Sequence, residues 1–300
     1  MSKRIEIYQA MRNSEMLPWV GGGDPEDQGK TSLKAVQANI GFREDMRILD
    51  FGCGIGKNSV AFLDSLGSEG ELVGVDVVSD MVEFCNREIA TRYGNSRFFC
   101  TESGHDFYSK FDRNPKAEGR IKEDDFFDRY ENYFDLVLAF SIFTHFLEED
   151  TRRYFSKIRR VLKSDGVFWF TCFLIDEVSV HALETGLWGP GFEQNPKVGD
   201  DVATGSEKDP LAWVGCSQAK IVNALWEVDL RLDRVIYGAW RGYPADGGQD
   251  QLVARPAVMI PDDFDPEGYL DLNPDLKEAG ADPRKHFVSH GYVDGRRYRR

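Results

Sequence analysis

The stretch Arg47-Ile-Leu-Asp-Phe-Gly-Cys-Gly-Ile-Gly-Lys-Asn58 constrains this chain more than any other. A short apolar run reaches Asp50, three glycines follow at alternating positions (Gly52, Gly54, Gly56), and a helical pattern begins near Lys57. Strand, glycine turn and helix in that order bring backbone close to a ligand's polar atoms, because each glycine removes a Cβ that would block the approach or forbid the turn's dihedrals. The same pattern also serves as a plain tight turn, so the flanking sequence has to decide.

The surrounding pattern is that of alternating strands and helices. After a mixed N-terminal stretch that ends in the loop Val20-Gly-Gly-Gly-Asp24-Pro25, residues 33–40 read as a helix and 47–51 as the first strand. A helix at 58–66, a strand at 71–75 ending in Asp76, a helix at 80–93 with Ser79 as its N-cap, and a strand at 97–100 follow. Residues 104–131 are charged and irregular and read as a surface insertion. Phe134–Phe140 is a nearly continuous apolar run, interrupted by Asp135, as expected of a strand covered on both faces, followed by a helix at 149–162, a turn at 163–166 and a buried strand at 167–174. This rhythm implies an α/β fold with a doubly wound, mostly parallel sheet. Late in the chain a helix at 217–227 precedes a strand at 234–240, with 249–254 as its antiparallel partner. With 41% hydrophobic residues among 300, one large domain and a small appendage are both affordable. The division expected is an N-terminal segment (1–34), a main domain (35–256, with 175–215 as a lid facing the acceptor) and a helical C-terminal module (261–300).

Composition also excludes partners. A net charge of −14 speaks against nucleic acid. No segment is apolar enough to span a membrane and the N-terminus has no signal-peptide core, which with five scattered cysteines implies reduced thiols in the cytoplasm. No cluster of ligand residues suggests a metal.

Two ligands compete for the glycine turn. A dinucleotide site wants G-x-G-x-x-G, but here the pattern is G-x-G-x-G with lysine at 57. Asp76, 24 residues beyond Gly52, is placed to accept ribose hydroxyls. Asp50, just ahead of the turn, would repel a pyrophosphate and attract an ammonium. A ligand with adenosine, a cationic amine and no phosphate fits: S-adenosylmethionine.

Over residues 15–256 the chain resembles the class I S-adenosylmethionine-dependent methyltransferases, through Ile48–Gly56, Val73-Gly-Val-Asp76, Phe134–Leu138, Ser141–Phe146 and Val161–Gly166. The resemblance implies a seven-stranded Rossmann-like sheet with a late antiparallel hairpin. It implies cofactor contacts from Asp50, Gly52, Cys53, Gly54, Gly56, Asp76 and Val77, with Glu102 at the adenine edge and Phe140 and Ser141 at the sulfonium. Glu102 departs from the family's usual aspartate-centred pattern, and a solvated surface acid is the competing reading. Val20–Asp24, Tyr237–Gly242 and Gln249-Asp250 resemble a bacterial subgroup with varied acceptors.

His145, just past the fourth strand, is the candidate general base; the alternative is that it packs the following helix. Trp188, Trp213, Tyr237, Trp240, Arg241 and Gln249 are acceptor-pocket candidates, with Phe192 as a further stacking residue, and ordinary core packing is the competing reading for the aromatics. Residues 264–297 resemble a short helical module of bacterial surface-polysaccharide enzymes, often beside glycosyltransferase domains. That resemblance implies a sugar or glycan hydroxyl as acceptor and polysaccharide-assembly proteins as partners, at the inner face of the membrane. His286 and His290 share a helix face but lack a third ligand, which favours packing over metal. A small-molecule or protein methyltransferase, and a non-catalytic cofactor-binding scaffold, are the other readings.

Overall fold

The computed structural model describes residues 2–102, 106–187, 197–199, 201–205, 208–245, 247–257, 260–261, 263–291 and 296–298. Strands β1 (Arg47–Phe51), β2 (Glu71–Asp76), β3 (Ser96–Cys100), β4 (Phe134–Ala139) and β5 (Leu162–Ile175) pair with their neighbours in parallel. Strands β6 (Lys197–Val198), β7 (Val202–Thr204), β8 (Val214–Ser217), β9 (Leu230–Ile236) and β10 (Asp250–Pro256) follow. The order β3-β2-β1-β4-β5 continues through β10, antiparallel to β5, to β9, antiparallel to β10, which gives the expected seven-stranded frame with its late hairpin.

Alternation along each strand decides which face a side chain enters. Leu49, Val73, Val137, Phe168, Phe170 and Leu252 point into one layer, and Ile48, Leu72, Leu136, Leu138, Trp169 and Val253 into the other. The second layer is covered by helices α1 (Lys3–Arg12), α2 (Pro25–Ile40), α3 (Lys57–Leu63) and α4 (Ser79–Cys85), through Ile7, Val36, Val60, Phe62 and Met81. After the short α5 (Asp106–Ser109), helices α6 (Glu123–Arg129), α7 (Glu148–Val161) and, beyond α8 (Glu177–Glu184), α9 (Gln218–Trp226) cover the first layer. Because both faces are covered, all six residues of β4 are buried.

Several local expectations change. The helix expected at 80–93 stops at Cys85 and continues as a π turn, Asn86–Ala90. Its N-cap is Val78, since the Ser79 hydroxyl donates to Asp112 instead. Residues 106–131 are more than a surface insertion. Phe126 and Phe127 are fully buried, and Arg120 is withdrawn from solvent with Asp112, also donating to the carbonyls of Val77 and Thr101. The turn expected at 163–166 lies inside β5, where the register with β4 slips between Phe134 and Leu136. The late strand begins at Leu230 rather than Arg234 and leaves Trp240 in a 3-10 turn.

The described part of 175–215, expected to face the acceptor, contains helix α8 and three short strands. Strand β8 pairs with the last three residues of β5, parallel, and β7 and β6 extend that pairing outward. Strand β10 thus pairs with β5 along Phe168–Cys172, and β8 takes up Phe173–Ile175 beyond the end of β4, on the other edge. On the β10 side, the N–H and carbonyl of Leu174 are taken by Asp250 and Arg241. Fully buried, Asp250 accepts from the backbone N–H of Leu174 and Gly238 and from the Trp240 indole.

The C-terminal helices, α10 (Pro266–Leu272), α11 (Pro274–Glu278) and α12 (Pro283–His286), surround a small core of Phe264, Tyr269, Leu276 and Phe287. His286 Nδ1 lies 3.0 Å from the Tyr269 hydroxyl, a packing contact; the side chain of His290 is outside the described residues.

Candidate functional site

The site lies at the carboxyl ends of β1, β2, β4 and β5, where open α/β sheets hold ligands. Gly52, Gly54 and Gly56 all adopt positive φ (75°, 54° and 83°), which only glycine holds without strain at three alternate positions. The turn is tied to β2 by the N–H groups of Gly52 and Cys53, both donating to the Val75 carbonyl (2.8 and 3.1 Å). Asp76 makes the next link: its two oxygens accept from Gly54 N (2.8 Å) and Val78 N (2.9 Å). A carboxylate has about four acceptor positions, so these two bonds leave Asp76 with capacity toward hydroxyls. Burial raises its pKa, opposed by those backbone donors.

Asp76, Val77, Gly52, Phe51 and Thr101 line an apolar cleft with Tyr108, Ile142, Phe146 and Tyr154. It holds about 40 Å³, close to one water molecule's share of the liquid, about 30 Å³. Ile142 lies over the glycine turn, where a Cβ on residue 52 would meet its Cδ1 at 2.1 Å. Entry of a nucleoside-sized ligand requires Ile142 and Tyr108 to swing aside. Glu123 of α6 also borders the cleft, with its carboxylate on Lys157 (2.6 Å).

Asp50 does not line the cleft. It is buried beneath the turn, accepts from the Ser59 hydroxyl (2.6 Å), and has its pKa pushed up to about 6 by burial. Cys53 is buried on the same side with Cys85, whose thiols both approach the Gly54 carbonyl. Glu102 is exposed beside Thr101, and its backbone N–H donates to Ile121; its side chain stays outside the cleft wall. Phe140 packs against the second layer at the end of β4.

Ser141 has a positive φ of 59°, a conformation costing about 1–2 kcal/mol for a residue with a Cβ. Three bonds hold it there: its N–H donates to Thr171 Oγ1 (2.7 Å), its hydroxyl to Gln249 Oε1 (3.1 Å), and its carbonyl accepts from Tyr108 (3.2 Å). Thr171 also donates to Gln249 Oε1 (2.6 Å). Strands β4, β5 and β10 are thus joined at their site ends by Ser141, Thr171 and Gln249.

His145 sits in a 3-10 turn, Phe143–His145, after β4. Its Nδ1 is 2.9 Å from the Leu211 carbonyl, and its ring stacks on Phe107 (centroids 4.0 Å, 13°). A carbonyl only accepts, so the contact places the proton on Nδ1 and makes Nε2 the lone-pair nitrogen of the neutral ring.

The other acceptor candidates separate. Trp213 and Trp240 are buried around Phe173, and Arg241 is buried on the Leu174 carbonyl and the Asp176 carboxylate. Packing encloses Trp213 and Trp240, whereas Arg241 also lines the depression between α8 and residues 241–243. Tyr237 is half exposed beneath the Arg241 guanidinium (4.4 Å). Trp188 and Phe192 lie outside the described residues. A wider depression of about 380 Å³ opens between α8 and residues 241–243, lined by Glu177, Val178, His181, Leu187 and Tyr243.

Residues 49–168 match the family model described as a methyltransferase domain. The cofactor is S-adenosylmethionine, which the glycine turn and the acid ending β2 fit. A demethylmenaquinone methyltransferase of Staphylococcus aureus is 34% identical over 65 residues, which is 22% of this chain and 27% of the relative's length. A probable cobalt-precorrin-6B C(15)-methyltransferase (decarboxylating) of Thermoplasma acidophilum is 28% identical over 142 residues, covering 43% of this chain and 70% of the relative. Among solved structures, the mitomycin 7-O-methyltransferase superposes with a TM-score of 0.50 at 16% identity, over 84% of this chain and 60% of that one, a likeness of fold.

The sequence did not single out Tyr108, Ile142, Glu123 or Thr171. Only Ile142 and Tyr108 had a local signal, as large apolar residues flanking the strand-four end and the third-strand loop.

Proposed function

We propose that this methyltransferase acts on oxygen, at a hydroxyl of a sugar or glycan in surface-polysaccharide assembly. The observation that carries the choice of oxygen is the Nδ1 contact of His145 with the Leu211 carbonyl, which makes Nε2 the basic nitrogen at the carboxyl end of β4. S-adenosylmethionine supplies an electrophilic methyl group on a sulfonium. The protein's share is to align the nucleophile and to take its proton. Glycines 52, 54 and 56 and Asp76 hold the donor, Ser141 is set by Thr171 and Gln249, and His145 receives the hydroxyl proton.

The glycan as acceptor rests on the C-terminal module, whose resemblance points to polysaccharide enzymes and whose residues 264–287 have a core of their own. In this reading the module docks glycosyltransferases or other assembly proteins at the cytoplasmic face of the membrane. A small-molecule acceptor is the second reading, favoured by the 380 Å³ depression at the carboxyl end of β5.

Labelled S-adenosylmethionine incubated with nucleotide sugars, oligosaccharides and a peptide fraction tests the proposal. Label in a saccharide supports it; label confined to peptide, or to a nitrogen, refutes it. His145→Ala is expected to keep cofactor binding and to lower kcat about 100- to 10,000-fold. An unchanged kcat removes the base.

A further inference from the structure

Lys57 opens α3 directly after the glycine turn, and its surroundings are unusual for a lysine. The side chain is withdrawn from solvent, and its ammonium donates to the Val20 carbonyl and to Gln28 Oε1 (2.6 Å), both neutral acceptors. Among the described residues no carboxylate lies within ion-pair distance of it. Lys157, Lys163 and Lys220, which are also partly withdrawn, each contact a carboxylate: Glu123, Asp135 and Glu148. An ammonium taken from water without a counter-ion is costly, and burial alone pulls the Lys57 pKa down to about 8.

The residues around this ammonium are built to stay close. Gly29 of α2 has no room for a Cβ, which would lie 2.5 Å from the Lys57 carbonyl, and the Tyr8 hydroxyl donates to that carbonyl (3.3 Å). Gln28 bridges Lys57 and the Gly22 carbonyl (3.0 Å), within a run where Gly21, Gly22 and Gly23 all have positive φ. The Val20 side chain in turn lies on the cofactor turn, 2.8 Å from where a Cβ of residue 54 would be. The ammonium is therefore held where the N-terminal loop meets the glycine turn, with a cation's charge and no anion.

We propose that Lys57 is a positioning residue whose counter-ion is the α-carboxylate of the cofactor's methionine moiety. The inference rests on S-adenosylmethionine being the cofactor. It assigns the N-terminal loop, Val20 to Gln28, the task of presenting that cation through Gln28 and the Val20 carbonyl. Asp76 then takes the ribose at one end of the cofactor and Lys57 the amino acid at the other.

The test is calorimetric binding to the full chain of S-adenosylhomocysteine and of 5′-methylthioadenosine, which keeps the adenosine thioether and lacks the amino-acid carboxylate. Lys57→Met is expected to weaken S-adenosylhomocysteine about 10- to 100-fold, the worth of a charge-assisted bond, and to leave methylthioadenosine within about twofold. Lys57→Arg should restore most of the loss. Equal weakening of both ligands, or of neither, overturns the proposal while leaving the cofactor assignment intact. Failure of the wild type to bind either ligand overturns both. A second measurement needs no folded variant: near pH 8, wild-type binding of S-adenosylhomocysteine should take up protons, seen as a heat that depends on the buffer. Methylthioadenosine should show no such uptake, and an identical uptake for both ligands refutes the assignment.

Discussion

Asp50→Asn isolates what it costs to place a carboxyl under the glycine turn. Burial moves the Asp50 pKa from 3.8 to about 6, against the opposing hydrogen bond from Ser59. A carboxyl whose pKa is raised by folding binds its proton more tightly in the native state than in the unfolded chain. Its stabilising contribution is complete below the unfolded value, near pH 4, and is lost as the pH rises through about 6. Each tenfold change in proton affinity is worth about 1.4 kcal/mol, so the loss is about 3 kcal/mol. Asparagine keeps an oxygen for Ser59 and cannot ionise. Urea unfolding of both proteins between pH 4 and 8 gives the comparison. Relative to the variant, the wild type should lose about 3 kcal/mol between pH 4 and 7, centred between the two pKa values. A stability difference that stays constant over this range would refute the reasoning, because Asp50 would then not be titrating with a displaced pKa.

Two substitutions, with a third as control, test the turn and the sheet edge. Gly52→Ala puts a Cβ at a φ of 75° and 2.1 Å from Ile142 Cδ1, and should cost about 2–3 kcal/mol in denaturant melts. Gly94→Ala, with open space around it, should stay within about 0.5 kcal/mol. Asp250→Ala leaves the donors of Leu174, Gly238 and Trp240 unsatisfied in a buried position, and a loss of roughly 3–5 kcal/mol is expected. A loss under about 1 kcal/mol would show that water replaces the carboxylate there.

The legible part of the site was the contiguous part. Gly52, Gly54, Gly56 and Asp76 are specified by backbone geometry at two strand ends, and their signature survives in a linear reading. The frame was legible for the same reason, since β4 and the apolar half of β5 are buried on both faces and show it. The Ser141–Thr171–Gln249 constellation was not legible as a unit. It depends on β10 meeting β5 in one register, with Gln251 opposite Thr171, and no local pattern encodes that pairing. Trp213 stands in the stretch read as a lid and Trp240 at the end of the expected strand 234–240, while their shared partner Phe173 comes from β5, far away in the chain. Phe126 and Phe127 were hidden by the acids ahead of them, which occupy the first turn of α6 and leave its inner face apolar.

The edge of β5 that receives β10 also sets the order in which the molecule can be finished. Among the described residues β9 pairs with β10 alone, and β10 follows every other described strand. During synthesis β9 therefore emerges with no strand to pair with, and the apolar run Phe168–Cys172 keeps an open hydrogen-bonding edge until residue 256 has appeared. An open, apolar strand edge is a template for pairing with another chain. Closure across some 80 residues is slow compared with local helix formation. Truncation anywhere between β5 and β10 should therefore yield an aggregating fragment rather than a smaller enzyme, and refolding should be limited by the arrival of β10.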